Sequence, residues 1–292
     1  MAERSFTPSG ADRAPVTIDS TVAHTARVYD YLLGGTDNFA VDREVAEHAF
    51  AAYPGGVDGA RSDAWANRAF LGRCVRYLAG EVGIRQFLDI GTGIPTGENV
   101  HTVAQRISPA SRIVYVDNDP IVLAHAHALL VSTVEGRTAF VEGDIRRPDT
   151  IVEMATEILD LTRPVALVMI GLLHVVPDKE EPYRIVRRLL DALPAGSYLA
   201  LSHMTDDFQP DLMRVVQERL DRTMHTTNPP AFRSRDDIGR FFEGLEMVEP
   251  AVVHLDQWRP DLTTPTPATN CRSRISPLYC GVARVPGDLA SR

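Results

Sequence analysis

The chain reads as a doubly wound α/β domain that carries a helical addition at its N-terminal side. Three observations predict this. From residue 85 onward, short apolar runs bounded by Asp and Gly alternate five times with helical patterns, as a parallel sheet covered on both faces requires. Residues 21–80 instead repeat apolar positions at helical spacing, as in Ala69, Phe70, Cys74, Val75 and Leu78. The 292 residues, 44% hydrophobic and 24% charged, suffice for one large core and show no repeat of solenoid or propeller period.

Residues 1–20 are polar, proline-containing and aperiodic, which predicts a flexible arm. Residues 21–80 form the helical cap, broken at Gly34-Gly35 and at Pro54-Gly55-Gly56, and residues 81–292 form the α/β domain. Strands are expected at 87–90, 113–116, 138–141, 165–173 and 198–201, and helices at 99–107, 121–130, 151–159 and 183–193. Asp119-Pro120 sets an N-cap acceptor before a proline at the first helical position, where the missing N–H costs nothing. Glu181-Pro182 repeats the pattern less strongly. A longer helix at 211–223 precedes two late strands, 247–255 and 278–285, joined by an extended Thr/Pro-rich loop at 259–269.

Composition excludes several function classes. With 30 basic against 39 acidic side chains, the formal net charge of −9 is wrong for a general nucleic-acid coat. The longest apolar run, 165–176, is twelve residues and contains His174, too short to span a bilayer. The first twenty residues lack the apolar stretch of a secretory leader. Cys74, Cys271 and Cys280 are too few for a disulfide framework, and the last two are spaced too widely for a zinc pair. A reducing cytoplasm is expected.

The most informative segment is Phe87-Leu88-Asp89-Ile90-Gly91-Thr92-Gly93-Ile94-Pro95-Thr96-Gly97, a strand running into a glycine-bearing turn. In a doubly wound sheet the ligand sits beside this turn, at the carboxyl ends of the strands. A dinucleotide needs its pyrophosphate at the following helix N-terminus, normally with a third glycine at a fixed offset. That offset falls on Thr96, Gly97 is one place late, and Glu98 would set a carboxylate in the first helical turn. S-adenosylmethionine carries no phosphate and presents an ammonium and a sulfonium, which Asp89 is placed to attract. Asp117 ends the second strand, 26 residues after Gly91, where a carboxylate can accept both ribose hydroxyls of either cofactor. Asp144 ends the third strand and could accept the adenine amino group.

These residues look like the successive motifs of class I S-adenosylmethionine-dependent methyltransferases. More narrowly, the chain resembles a bacterial family of such proteins in Arg27-Val28-Tyr29-Asp30-Tyr31-Leu32-Leu33-Gly34-Gly35-Thr36-Asp37-Asn38-Phe39, in residues 87–96 and in Tyr115-Val116-Asp117-Asn118-Asp119-Pro120. Residues 199–203 and Glu249-Pro250 with His254 belong to the same likeness, which spans roughly residues 20–285. The resemblance implies a Rossmann-like, seven-stranded sheet with its last strand antiparallel. Carried over by position, it implies that Asp89, Gly91, Thr92 and Gly93 line the methionine end, Asp117 and Asn118 the ribose, and Asp144 with Ile145 the adenine. Pro95 departs from the pattern, since many methyltransferases have a third glycine there.

Candidates for the acceptor side are less specific. His174 ends the fourth apolar run and His203 the fifth; a side chain with an ordinary pKa of about 6.5 suits a proton acceptor, and either also fits as a satisfied core histidine. Tyr29, Tyr31 and Phe39 are either core aromatics or a cap over the cationic methyl group; the length of the intervening turn favours the cap. Arg233, Arg235 and Arg240, near Asp236-Asp237 and Glu243, form a solvated helix face or an anionic pocket. His125 and His127 lack metal-ligand spacing. Gly171-Leu172-Leu173-His174 stands where base-modifying methyltransferases carry an Asn/Asp-Pro-Pro-Tyr-like motif. The expected activity is methyl transfer from S-adenosyl-L-methionine to a small molecule, with no metal, nucleic acid or membrane involved. The alternatives are a non-catalytic S-adenosylmethionine-binding regulator and, disfavoured by Thr96 and Glu98, an NAD(P)-dependent oxidoreductase.

Overall fold

The computed structural model describes residues 19–122, 124, 132–223, 230–262 and 276–287. Most of the expected arm, His125, His127 and most of the helix expected at 121–130 lie outside the described residues, as do Cys271 and the loop expected at 259–269 from residue 263 on.

Five strands, β1 (Gln86–Ile90), β2 (Arg112–Asp117), β3 (Arg137–Glu142), β4 (Ala166–Ile170) and β5 (Tyr198–Met204), pair in parallel in the order β3-β2-β1-β4-β5. The order reverses between β1 and β4, which opens a crevice at their carboxyl ends. β8 (Leu278–Arg284) runs antiparallel to β5 along its whole length. The strand expected at 247–255 is instead two short ones, β6 (Glu246–Met247) and β7 (Val253–His254), both antiparallel to β8 on its other edge. Pro250 has no N–H for the ladder, and Ala251 takes a positive φ of 66°. The sheet thus has eight strands, two of which share the place of one.

The expected strand 165–173 also stops early. Gly171, at φ 69°, turns the chain after Ile170, and His174 falls in a short 3-10 turn, Leu173–Val175. The apolar run continues because Leu173 and Val176 are buried in the core. Asp119 accepts the Ile121 N–H at 2.9 Å, as an N-cap does. Glu181 precedes its proline in the left-handed region, φ 55°, without a side-chain cap.

Strand residues alternate between two cores. Leu88, Val114, Leu167 and Leu199 face one side, covered by α5 (Pro148–Ala155) and α6 (Pro182–Asp191). Phe87, Ile113, Ala166 and Ala200 face the other, covered by α4 (Val100–Ile107) and the C-terminal half of α3 (Gly56–Arg76) through Phe70, Leu71, Cys74 and Val75. The N-terminal half of α3 contributes Ala60 and Ala64 to a third core. There they meet α1 (Thr25–Leu32), α2 (Ala40–Phe50) and Met213, Val216 and Leu220 of α7 (Pro210–Thr223). α3 therefore packs against both the cap and the sheet.

The long turn between α1 and α2 is built around two buried carboxylates. Asp30 accepts the Asp37 N–H at 3.0 Å and the Asn38 amide at 2.8 Å. Asp42 accepts the backbone N–H of His24 and of Phe39, and Arg27 Nε lies 3.1 and 2.9 Å from its two oxygens. The turn's length therefore serves the internal satisfaction of the cap. A Cβ on Gly35 would lie 2.0 Å from an Asp30 oxygen. Gly35→Ala is expected to destabilise the protein by about 1–3 kcal/mol, the usual cost of overpacking, seen as a lower urea midpoint at unchanged slope.

Candidate active site

A cavity of about 550 Å³ opens at the carboxyl ends of β1 to β4 and is roofed by the cap helices. Asp89, Gly91, Thr92, Gly93, Asp117, Asn118, Asp144 and Ile145 all line it. Gly91 and Gly93 take φ of 75° and 65°, a region that favours glycine. A Cβ on Gly91 would stand 2.6 Å from the Leu172 side chain, whereas one on Gly93 would meet nothing within 4 Å. The turn is clamped from the next strand: Asp117 accepts the Gly93 N–H at 2.8 Å through one oxygen and the Asp119 N–H at 3.0 Å through the other. Burial raises the Asp117 pKa, and these two N–H groups oppose the rise.

Asp89 has no such partners. It is 6% exposed, and among the described residues its carboxylate makes no hydrogen bond or ion pair. Burial lifts its pKa to about 7, with Asp117 adding to the rise and Arg68 opposing it. A carboxylate held in a cavity without a partner is completed by a cationic ligand and disfavours an anionic one such as a pyrophosphate. At the rim, Asp144 accepts the Arg146 N–H at 2.9 Å, and Arg146 Nε donates to Glu180 at 2.6 Å.

His174 lines the cavity from the turn after β4. Burial, and then the charge of Arg233, lower its pKa to about 4, so the ring is neutral at ordinary pH. Among the described residues neither ring nitrogen has a hydrogen-bond partner, and Nδ1 is sealed from solvent. The turn is held rigidly: Ala231 N–H donates to the His174 carbonyl at 2.7 Å, and Arg233 donates to the carbonyls of Leu173 at 3.0 Å and Val176 at 2.8 Å.

The family model described as S-adenosyl methyltransferase matches residues 11–286. The chain belongs to the S-adenosyl methyltransferase family. Its cofactor is S-adenosylmethionine, which sets aside the nicotinamide alternative, and membership of a methyltransferase family makes it an enzyme and not a non-catalytic binder. A DUF574 family protein from Streptomyces avermitilis MA-4680 is 44% identical, with 92% of this chain and 99% of that one covered at a TM-score of 0.83. A candidate methyltransferase from Thermobifida fusca YX is 37% identical, with 92% and 96% covered at a TM-score of 0.80. No curated protein matches the chain.

The other residues singled out in the methyltransferase sequence fall into different roles. His203 is fully buried and does not line the cavity. Its Nδ1 lies 2.7 Å from the Met204 carbonyl and its Nε2 2.7 Å from Arg233 Nη1. With one nitrogen donating and the other accepting, it is a satisfied core histidine and no base faces the cavity from β5. Arg233 is neither on a solvated face nor free for an anion: it is 4% exposed and also pairs with Asp178 at 2.7 Å. Arg235 donates to the Val252 carbonyl at 2.7 Å, and Arg240 pairs with Asp237 at 3.4 Å.

Of the three cap aromatics only Tyr29 lines the cavity. Positions two apart on a helix point to opposite sides, so the Tyr31 hydroxyl instead donates to Glu47 at 2.6 Å. Phe39 packs outside under the Arg27 guanidinium, 5.1 Å from its ring centre. Glu98 does not stand in a helical first turn: Asn99 is the N-cap of α4, and Glu98 pairs with Arg76 at 3.5 Å and Arg106 at 3.8 Å. Its carboxylate thus gives no argument against a pyrophosphate; the partnerless Asp89 carries that discrimination.

Sequence reasoning missed Asn67. Gly171 N–H donates to Ser202 Oγ at 2.9 Å, Ser202 to Asn67 Oδ1 at 2.6 Å, and Asn67 Nδ2 to the Tyr29 hydroxyl at 3.2 Å. This relay joins the ends of β4 and β5 to α3 and α1 along the cavity wall. The only hint in the sequence is an amide inside an otherwise apolar helical face.

An ammonium group favours ionised Asp89, so its pKa falls in the complex. Affinity for S-adenosylmethionine should therefore rise with pH by up to about tenfold per unit until about 7, and fall again above about 8, where the ligand's α-amino group loses its proton. Calorimetry across about pH 5.5–8.5, either side of the Asp89 titration, checks this, and Asp89→Asn should both weaken binding and flatten the acid limb of the profile.

Proposed function

We propose that this methyltransferase acts on a small molecule by in-line displacement, with the acceptor entering the part of the cavity under the cap. The observation that carries the reading is the convergence on one enclosed cavity of two partnerless groups, the Asp89 carboxylate and the neutral His174 ring. When bound, S-adenosylmethionine supplies a methyl group made electrophilic by its sulfonium.

In this reading Asp89 holds the methionine ammonium, with the backbone of Gly91, Thr92 and Gly93 beside it. Asp117 and Asn118 hold the ribose, and Asp144 and Ile145 the adenine. The cap excludes water and aligns the acceptor, which is most of what an in-line transfer asks of a protein. His174 receives a proton where the acceptor has one to lose. His203 and Arg233 are positioning residues for the His174 turn.

A net charge of −9 without a basic, aromatic-interleaved stretch supports a small-molecule acceptor over a nucleic acid. No helix among the described residues is long and apolar enough to cross a membrane, and no cluster of three or more His, Cys, Asp or Glu among them could hold a metal ion. The unpaired, buried Cys74 and Cys280 support a cytoplasmic location. Incubation of the protein and methyl-labelled S-adenosylmethionine with fractionated cell extract tests the reading. Label is expected in a new low-molecular-weight compound that separates from S-adenosylmethionine, and that compound is expected to be absent with Asp89→Asn. Label confined to protein or nucleic acid would overturn it.

A further inference from the structure

Beyond the residues expected to hold the cofactor, the cavity continues under the roof into a chamber walled by Val28, Leu32, Phe50, Ala60, Ala64 and Leu220. These side chains come from α1, α2, α3 and α7 and are all buried and apolar. Cations near the chamber are already engaged. Arg68 donates to the Glu98 carbonyl at 2.8 Å and to Asn99 at 3.1 Å, and Arg146 is paired with Glu180 and Asp144. The Arg233 guanidinium is used by two carbonyls, His203 and Asp178. At the far end the Asp63 carboxylate already accepts the Tyr53 hydroxyl at 2.8 Å.

A carboxylate or phosphate on the acceptor would therefore enter an apolar space with no counter-charge ready for it, which burial strongly disfavours. The polar group left to the acceptor is His174, a neutral ring whose nitrogens have no partner among the described residues. Leaving such a group unsatisfied is costly; with Nδ1 sealed from solvent, a hydroxyl donor meets the ring at Nε2. A neutral amine attacks without losing a proton first and has no need of such a base. An aromatic or enolic hydroxyl does need one.

Resting on the small-molecule reading above, we infer that the acceptor is an uncharged, largely apolar molecule bearing an aromatic or enolic hydroxyl, seated in the cap chamber with that hydroxyl on His174. As the oxygen bonds to the methyl carbon, the carbon–sulfur bond breaks and its electron pair stays on sulfur. The hydroxyl proton passes to the His174 ring and then to solvent, leaving a methyl ether and S-adenosylhomocysteine. Because the ring is a weak base, the proton moves as the new bond forms and not before.

The test is calorimetric titration of the full-length protein, saturated with S-adenosylhomocysteine, using 2-naphthol, 2-naphthoate and 2-naphthylmethylamine. 2-Naphthol should bind at least tenfold more tightly than either charged analogue. His174→Ala should weaken it at least fivefold, and Ala64→Phe, which fills the chamber from α3, should abolish it; both variants should keep their affinity for S-adenosylhomocysteine. Equal or tighter binding of a charged analogue, no binding of 2-naphthol to the loaded protein, or unchanged naphthol affinity in both variants would overturn the inference and leave the methyltransferase reading standing. Failure of the wild-type protein to bind S-adenosylhomocysteine would remove that reading and this one with it.

Discussion

The carboxylate of Asp117 accepts the backbone N–H of Gly93 across the gap between the first two strands, and the geometry of the cofactor end follows from that contact. A turn containing two glycines at positive φ has many conformations open to it in isolation. The clamp selects one, and so fixes where the Gly91–Gly93 backbone stands relative to Asp89. Asp117 can do this because its other oxygen is bound by the Asp119 N–H, which holds the side chain in place from its own strand end. A carboxylate anchored at both oxygens is a scaffold as well as a ligand-binding group, since each oxygen still has a lone pair to offer.

Asp89 shows the opposite arrangement, burial without anchoring. The contrast between two neighbouring acids explains how one site can be both rigid and unfinished. The backbone, the Asp117 clamp and the Ser202–Asn67–Tyr29 relay are satisfied within the protein. Asp89 and His174 are not, and they face the same space. Free energy withheld at those two groups is available to a ligand that completes them.

The parts of this arrangement differ in how legible they are in the sequence. Strand–helix alternation and the run Asp89–Gly93 report directly on local backbone, and so do the acids at 117 and 144; all eight positions expected to face the cofactor line the cavity. The readings that changed depended on tertiary neighbours. His174 and His203 look alike as residues following apolar runs, yet a glycine at 171 ends one strand early and frees the first ring, while Arg233, thirty residues further on, claims the second. Tyr29 and Tyr31 separate only once the helix has a direction in which to face. Arg233 itself sits in a charged stretch typical of a surface helix, and its burial follows from three carbonyl and imidazole acceptors that no local pattern reveals. Asn67 gives almost no signal, because its role is to bridge elements more than a hundred residues apart.

The roof over the cavity draws Val28, Ala49 and Ala64 from early in the chain but also Met213, Val216 and Leu220 from much later in it. A ribosome-bound chain that has emerged only through β5 holds a nearly finished sheet and three helices whose shared apolar face still looks into water. The roof is thus closed by a helix that follows β5 in the chain, and its apolar underside is the surface a nascent chain has most reason to hide from its neighbours. Because α7 docks on α2, the space under the cap takes shape only once the chain has run past β5, ahead of the strands β6 to β8 that finish the sheet's edge.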